Sequence, residues 1–205
     1  MKSLVFTLAI LIAMAGSHFA VAEPEYEFDF EKDTEGWEIP DFAMEQGDHV
    51  ARSLDISPDK SRTGKNSLKV ECEFPGDLWT AALIEYKKDL DLRGFKSISA
   101  DIYLPRKAKG DLYLARFILT VGPWYRVEMR NPVLLIAGKW NRIECDLDAG
   151  ANEMAYWRCS KKEECVSANL YHVRKIDLRI EYNANPWQGG PPYNGPVYVD
   201  NIVIE

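Results

Sequence analysis

Residues 112–130 read LYLARFILTVGPWYRVEMR, two β-branched and aromatic runs on either side of the turn residues Val121, Gly122 and Pro123. With the two-residue period of a strand, Tyr125, Val127 and Met129 share one phase and Trp124, Arg126, Glu128 and Arg130 the other. In the first run Arg116 projects opposite to Tyr113, Ala115 and Phe117. One phase reads as core. The other sets an indole among charges of mixed sign.

The same period recurs outward in both directions. YEFDF, HVARSLDI, SLKVECEF, TAALIEY, SISADIYL, WNRIECDL, KIDLRIEY and VYVDNIVIE are strand-like. They are separated by turn chemistry such as SPDKSRTGKN, FPGD, DLRGF, PRKAKGD and GGPPYNGP. Only GANEMAYWRCSKKEECVSANLYH resists the pattern, and it has room for a short helix. About ten strands at this spacing predict an all-β antiparallel β-sandwich, a jelly roll, with closure into a barrel as the alternative.

The amino terminus bounds the compartment. Lys2, an apolar run from Leu4 to Ala15 and the small-x-small triplet Ala20-Val21-Ala22 form a secretory signal, so residues 1–22 are expected to be removed. A retained anchor is the alternative, but the run is shorter than a membrane span requires. Residues 23–205 are then one domain, outside the cytoplasm: secreted or periplasmic, monomeric, and free of the membrane after cleavage. The formal charge of −7 becomes −8 without Lys2, which opposes nucleic acid or an anionic membrane as partner.

Four cysteines in an exported chain suggest disulfides. Cys159 and Cys165 bracket the charged loop SKKEE and are expected to be bonded. Cys72 and Cys145 each fall in the apolar phase of a strand, where they either bridge or sit as two buried thiols. No C-x-x-C pair or histidine set accompanies them, which argues against zinc.

The order FDFEKDTEGW, TGKNSLKVE, LDLRGFKSISADIYLP, GPWYRVE, AGKWNRIECDLD and YNGPVYVDNIVIE resembles the galactose-binding-domain-like jelly-roll carbohydrate-binding modules, especially those appended to bacterial β-mannanases and β-glucanases. The resemblance implies a non-catalytic glycan-binding domain, with a polysaccharide or oligosaccharide across a concave sheet and a structural Ca²⁺ away from that face. It also supports Trp79 and Trp124 as stacking platforms, with Trp187 third, and acidic residues of the first and last strands as calcium ligands.

The residues carry a matching argument. Sugar rings present C–H patches that stack on aromatic planes and hydroxyls that both donate and accept, so a binding face mixes Trp or Tyr with charged and amide groups. Trp79 and Trp187 lie at turns. Tyr103, Arg116, Trp124, Arg126, Glu128, Arg179 and Glu181 fall on polar phases. Trp37, Trp140 and Trp157 read as core or loop packing. For Ca²⁺, Asp29, Glu31 and Asp200 would join carbonyls near Lys65 and Asn66 in an oxygen cage.

Two other readings compete. Alternating Arg and Glu on neighbouring strands are commonly ion pairs on a wet face, and a purely structural or protein-binding sandwich would need no more. A jelly-roll glycoside hydrolase would use Glu128 and Glu181 as its carboxylate pair. Arginines around both favour the charged carboxylate, however, whereas a general acid must keep its proton. The chain is therefore read as a binding protein, not an enzyme.

Overall fold

The computed structural model describes residues 26–109, 112–184 and 189–205. The expected signal segment and Trp187 lie outside the described residues. In chain order the strands are β1 Tyr26–Phe28, β2 Trp37–Glu38, β3 Ala51–Ser57, β4 Ser67–Phe74, β5 Thr80–Tyr86, β6 Ser97–Tyr103 and β7 Tyr113–Val121. They continue with β8 Tyr125–Met129, β9 Val133–Leu134, β10 Trp140–Asp146, β11 Trp157–Arg158, β12 Val173–Tyr182 and β13 Tyr193–Ile204. Two short helices, α1 Asp41–Glu45 and α2 Glu153–Tyr156, complete the described elements together with two 3-10 turns.

The strands form two antiparallel sheets, a sandwich rather than a closed barrel. The first sheet has the order β10-β6-β13-β4-β3, with β1 also paired to β13. The second has the order β11-β8-β7-β12-β5-β2, with β9 paired to β7. The last strand is thus central, joined on its flanks to β1, β4 and β6.

Alternation explains the first sheet directly. In β4 Leu68, Val70, Cys72 and Phe74 are buried while Lys69, Glu71 and Glu73 face outward. In the second sheet β5 and β7 are buried on nearly every residue. In TAALIEY the outward-phase Ala81 and Leu83 are buried as well as the inward ones, which accords with its almost continuously apolar reading. Between the sheets, Phe28 packs edge-on against Trp37 and Tyr86, and Phe74 against Tyr113.

Cys159 and Cys165 are bonded, with Cα atoms 5.2 Å apart. The possible second bridge is not made: Cys72 and Cys145 are separate buried thiols. Strands β13 and β6 stand between β4 and β10. Three strand spacings of about 4.8 Å exceed the roughly 7 Å a disulfide can span.

Candidate functional site

Register assembles a grid on the outer face of the second sheet. One row across the strands runs Glu38, Glu85, Asp177, Ile118, Glu128, Arg158. Beside it lie Lys175, Thr120 and Arg126 on one side, and Leu83, Arg179 and Arg116 on the other. Glu181 follows in the next row, opposite Ala81 and Leu114. An acidic row is therefore flanked by basic ones.

Arg116 and Arg179 face each other directly, an arrangement that like charges resist unless acids intervene. Two do. Arg116 donates from Nε to Glu181 Oε1 at 2.7 Å and lies 3.5 Å from Glu128 Oε2. Arg179 lies 3.3 Å from Glu128 Oε2 and 3.5 Å from Glu181 Oε2. Arg126 approaches Glu128 at 3.5 Å and Arg158 does so at 4.0 Å. The four-membered square of Arg116, Arg179, Glu128 and Glu181 is the floor of the face. Arg116 and Arg179 are each 8% exposed and Glu181 3%, so these three hold geometry, and reaching outward falls to Arg126 and Arg158.

A second cluster adjoins the first. Lys175 donates to Glu85 at 2.7 Å and lies 3.1 Å from Asp177. Burial pushes the Asp177 carboxyl up to about 6, with Lys175 opposing the shift. Burial alone would lower Lys175, but Glu85 and Asp177 outweigh it and its value is raised. His49 is held below its ordinary value by burial, with Arg179 and Arg126 adding to the effect. Phe42, from α1, packs edge-on to His49 at 5.6 Å and lies beneath the Lys175 ammonium.

The two indoles stand at opposite ends of β12. Trp79, 41% exposed, donates its Nε1–H to Glu181 at 3.3 Å and lies 5.8 Å from the Arg179 guanidinium. Trp124, 63% exposed, lies 4.6 Å from Arg174 and lines a cavity of about 180 Å³ with Lys87, Lys88 and Asp89. Trp124 is not in strand phase: it occupies the turn before β8 at a φ of 86°, so the turn sets its direction. From Arg174 to Glu181, seven steps at a strand rise of about 3.4 Å separate the positions beside the two rings by about 24 Å.

Tyr103 does not share this face. It lies on β6 of the first sheet, beside Trp140 and Tyr198. The face instead gains Phe42, His49, Glu85, Arg158, Arg174 and Lys175. Lys175 and His49 open strand-like runs and were legible there, whereas Arg174 falls just before KIDLRIEY and Phe42 arrives from a helix that the two-residue period does not mark.

The residues expected to hold calcium have other partners. Glu31 Oε1 accepts the backbone N–H groups of Lys65 and Asn66 at 2.8 and 2.9 Å, which hold its carboxyl below its usual value. Gly64 permits this approach, for at its φ of 56° a Cβ would fall 2.2 Å from Glu31 Oε1. Asp200 Oδ2 accepts from the amides of Arg62 and Thr63, and Oδ1 from that of Asn201. Asp29 Oδ1 accepts from the Glu31 amide. The loop offers N–H donors where a cage would need carbonyls, and among the described residues no group of three acidic, histidine or cysteine side chains is placed to hold a metal. Asp29, Glu31 and Asp200 are thus each satisfied by backbone N–H groups.

No family model matches the sequence, and no curated protein matches it. Solved structures do match the fold. A carbohydrate-binding module specific for non-crystalline cellulose (CBM28) is 18% identical, with a TM-score of 0.57 over 86% of this chain and 92% of that one. A family 11 carbohydrate-binding module from Clostridium thermocellum, in complex with a β-1,3-1,4-mixed-linked tetrasaccharide, is 15% identical, with a TM-score of 0.54 over 87% and 93%. The chain has the jelly-roll β-sandwich of such modules.

Proposed function

We propose that the protein is a non-catalytic glycan-binding module that takes a β-linked polysaccharide, of glucan or mannan type, on the outer face of the second sheet. The observation that carries this reading is the pair of exposed indoles, Trp79 and Trp124, bordering a polar face whose charges are already fixed by one another. Fixed polar groups bind with less ordering cost than free ones. Arg126, Glu128 and Arg158 would meet sugar hydroxyls, while Arg116, Arg179 and Glu181 keep them in place. The two fold relatives named above bind cellulose and a mixed-linked glucan by their descriptions, which favours the glucan side. Glu128 and Glu181 serve here as ion-pair acceptors for the same two arginines, a structural use of the carboxylates that the hydrolase reading would need free. The disulfide accords with an exported protein.

Affinity electrophoresis in gels containing glucans, mannans and xylans tests the proposal. At least one polysaccharide should retard the wild type, and folded Trp79→Ala and Trp124→Ala should run unretarded in that gel. Loss of a hot-spot ring costs on the order of 2 kcal/mol, about thirtyfold in affinity. A sandwich that binds no sugar is the second reading, favoured by the partners both indoles already have in Glu181 and Arg174. Wild-type migration unaffected by every polysaccharide would select it.

A further inference from the structure

The displaced Tyr103 leads to a second groove, on the outer side of the first sheet. Strand β6 pairs with β13 only as far as Tyr103 opposite Tyr198. Beyond that pair β13 continues back to Tyr193, while the chain after β6 turns away through Pro105, Arg106 and Lys107. The parting strands leave a groove of about 370 Å³, within the size range of ligand sites. Pro196 has no N–H to leave unpaired, and its carbonyl accepts the Tyr193 hydroxyl at 2.7 Å.

Two properties of the lining point to a ligand. Tyr103 stands in an aromatic cluster with Tyr198 and Trp140, at ring separations of 6.2 and 5.6 Å. Three cations, Lys60, Arg106 and Lys107, line the groove, and no carboxylate is among its described lining residues. The nearby Asp59 and Glu71 are engaged by Lys69 at 3.5 and 2.9 Å. Among the described residues Lys60, Arg106 and Lys107 make no ion pair, in a chain whose net charge is −7. Arg106 is also positioned: its stem packs on Gly138, where a Cβ would fall 2.5 Å from Cγ.

We propose that this groove is a binding site for a carboxylate-bearing sugar, a uronic acid unit of an acidic glycan. Its ring would stack against Tyr103, a partly exposed member of the cluster over whose ring Lys60 already lies at 5.2 Å. The carboxylate would meet the planar fork of Arg106 with Lys60 or Lys107 beside it. The site is separate from the polar face of the second sheet, so it stands or falls independently of the function proposed for that face.

Isothermal titration with oligogalacturonate, an equally long cello-oligosaccharide and inorganic phosphate, on the whole protein at low ionic strength, tests the assignment. Oligogalacturonate should bind, and more weakly as salt is raised. The double variant Lys60→Ala/Arg106→Ala and the charge reversal Lys107→Glu should each lose about tenfold or more in affinity, 1.4 kcal/mol, with unchanged unfolding midpoints. Trp79→Ala should bind it normally. No binding of oligogalacturonate, equal binding by both groove variants, loss in Trp79→Ala, or phosphate competing as well as the sugar acid would each overturn the proposal.

Discussion

The Arg174 guanidinium lies 4.6 Å from the centre of the exposed Trp124 indole, so one face of that ring is already covered by a cation. A sugar would stack on the opposite face, or displace Arg174. Arg174→Ala should therefore separate the two events. If Arg174 supports the ring, its removal weakens binding by about 0.5–1 kcal/mol, the worth of an exposed cation–π contact, a two- to fivefold effect well short of that of Trp124→Ala. Retardation of both variants in the same polysaccharide gel checks the order.

The floor of the face should be costly to break. Arg116→Ala leaves Glu181, 3% exposed, without its closest cation and is expected to destabilise by about 3–5 kcal/mol. Arg126→Ala removes an exposed partner of Glu128 and should cost less than about 1 kcal/mol. Urea denaturation of the two variants beside the wild type measures the contrast, and equal losses would contradict the floor-and-rim division.

Asp177 gives the protein a pH signature. Its carboxyl is raised by burial from 3.8 to about 6, so the folded state holds this proton more tightly than the unfolded chain. That contribution is complete below about pH 4 and lost as pH rises through about 6, with an amplitude of about 3 kcal/mol. Asp177→Asn lacks it. On moving from pH 7 to pH 4, stability of the wild type relative to this variant should rise by about that amount, as denaturant midpoints would record; parallel pH profiles would count against it.

Thiol chemistry distinguishes the four cysteines. Burial pushes Cys72 upward and Cys145 up to about 12, so the native protein should resist alkylation and the denatured, unreduced protein should expose two thiols. Reducing Cys159–Cys165, a sequence separation of 6, should lower stability by about 2 kcal/mol in the chain-entropy account. Alkylation followed by peptide mapping and denaturation with and without reductant tests both statements.

At the Asp200 corner, amide donors predict indifference to metal. Asp200→Asn should lose about 1–3 kcal/mol because three backbone N–H groups lose a charged acceptor. The loss should be the same with excess calcium as with chelator. A wild-type midpoint raised by calcium, and not raised in the variant, would restore the metal to this corner.

The sandwich was legible because most strands carry a clean two-residue period: β4 and β10 bury the residues their phases assign to the core. The short strands β2, β9 and β11 were not, since two residues cannot show a period. Phase also assigned Arg116, Arg126, Glu128, Arg179 and Glu181 to one polar surface, yet said nothing of depth. Neighbouring strands decide that Arg116 lies beneath and Arg126 above. Phase could not tell the sheets apart either, which is why Tyr103 was grouped with residues of the other sheet. Trp124 escaped the rule altogether, because a turn residue at positive φ does not continue the strand.

The second sheet ends on both sides in strands of only two residues, β2 and β11, and the latter runs straight into the disulfide-closed loop at Cys159. Such borders offer an incoming chain almost no ladder of free N–H and C=O groups to pair with. Many copies held side by side on one surface would thus have little opportunity to extend this sheet from molecule to molecule.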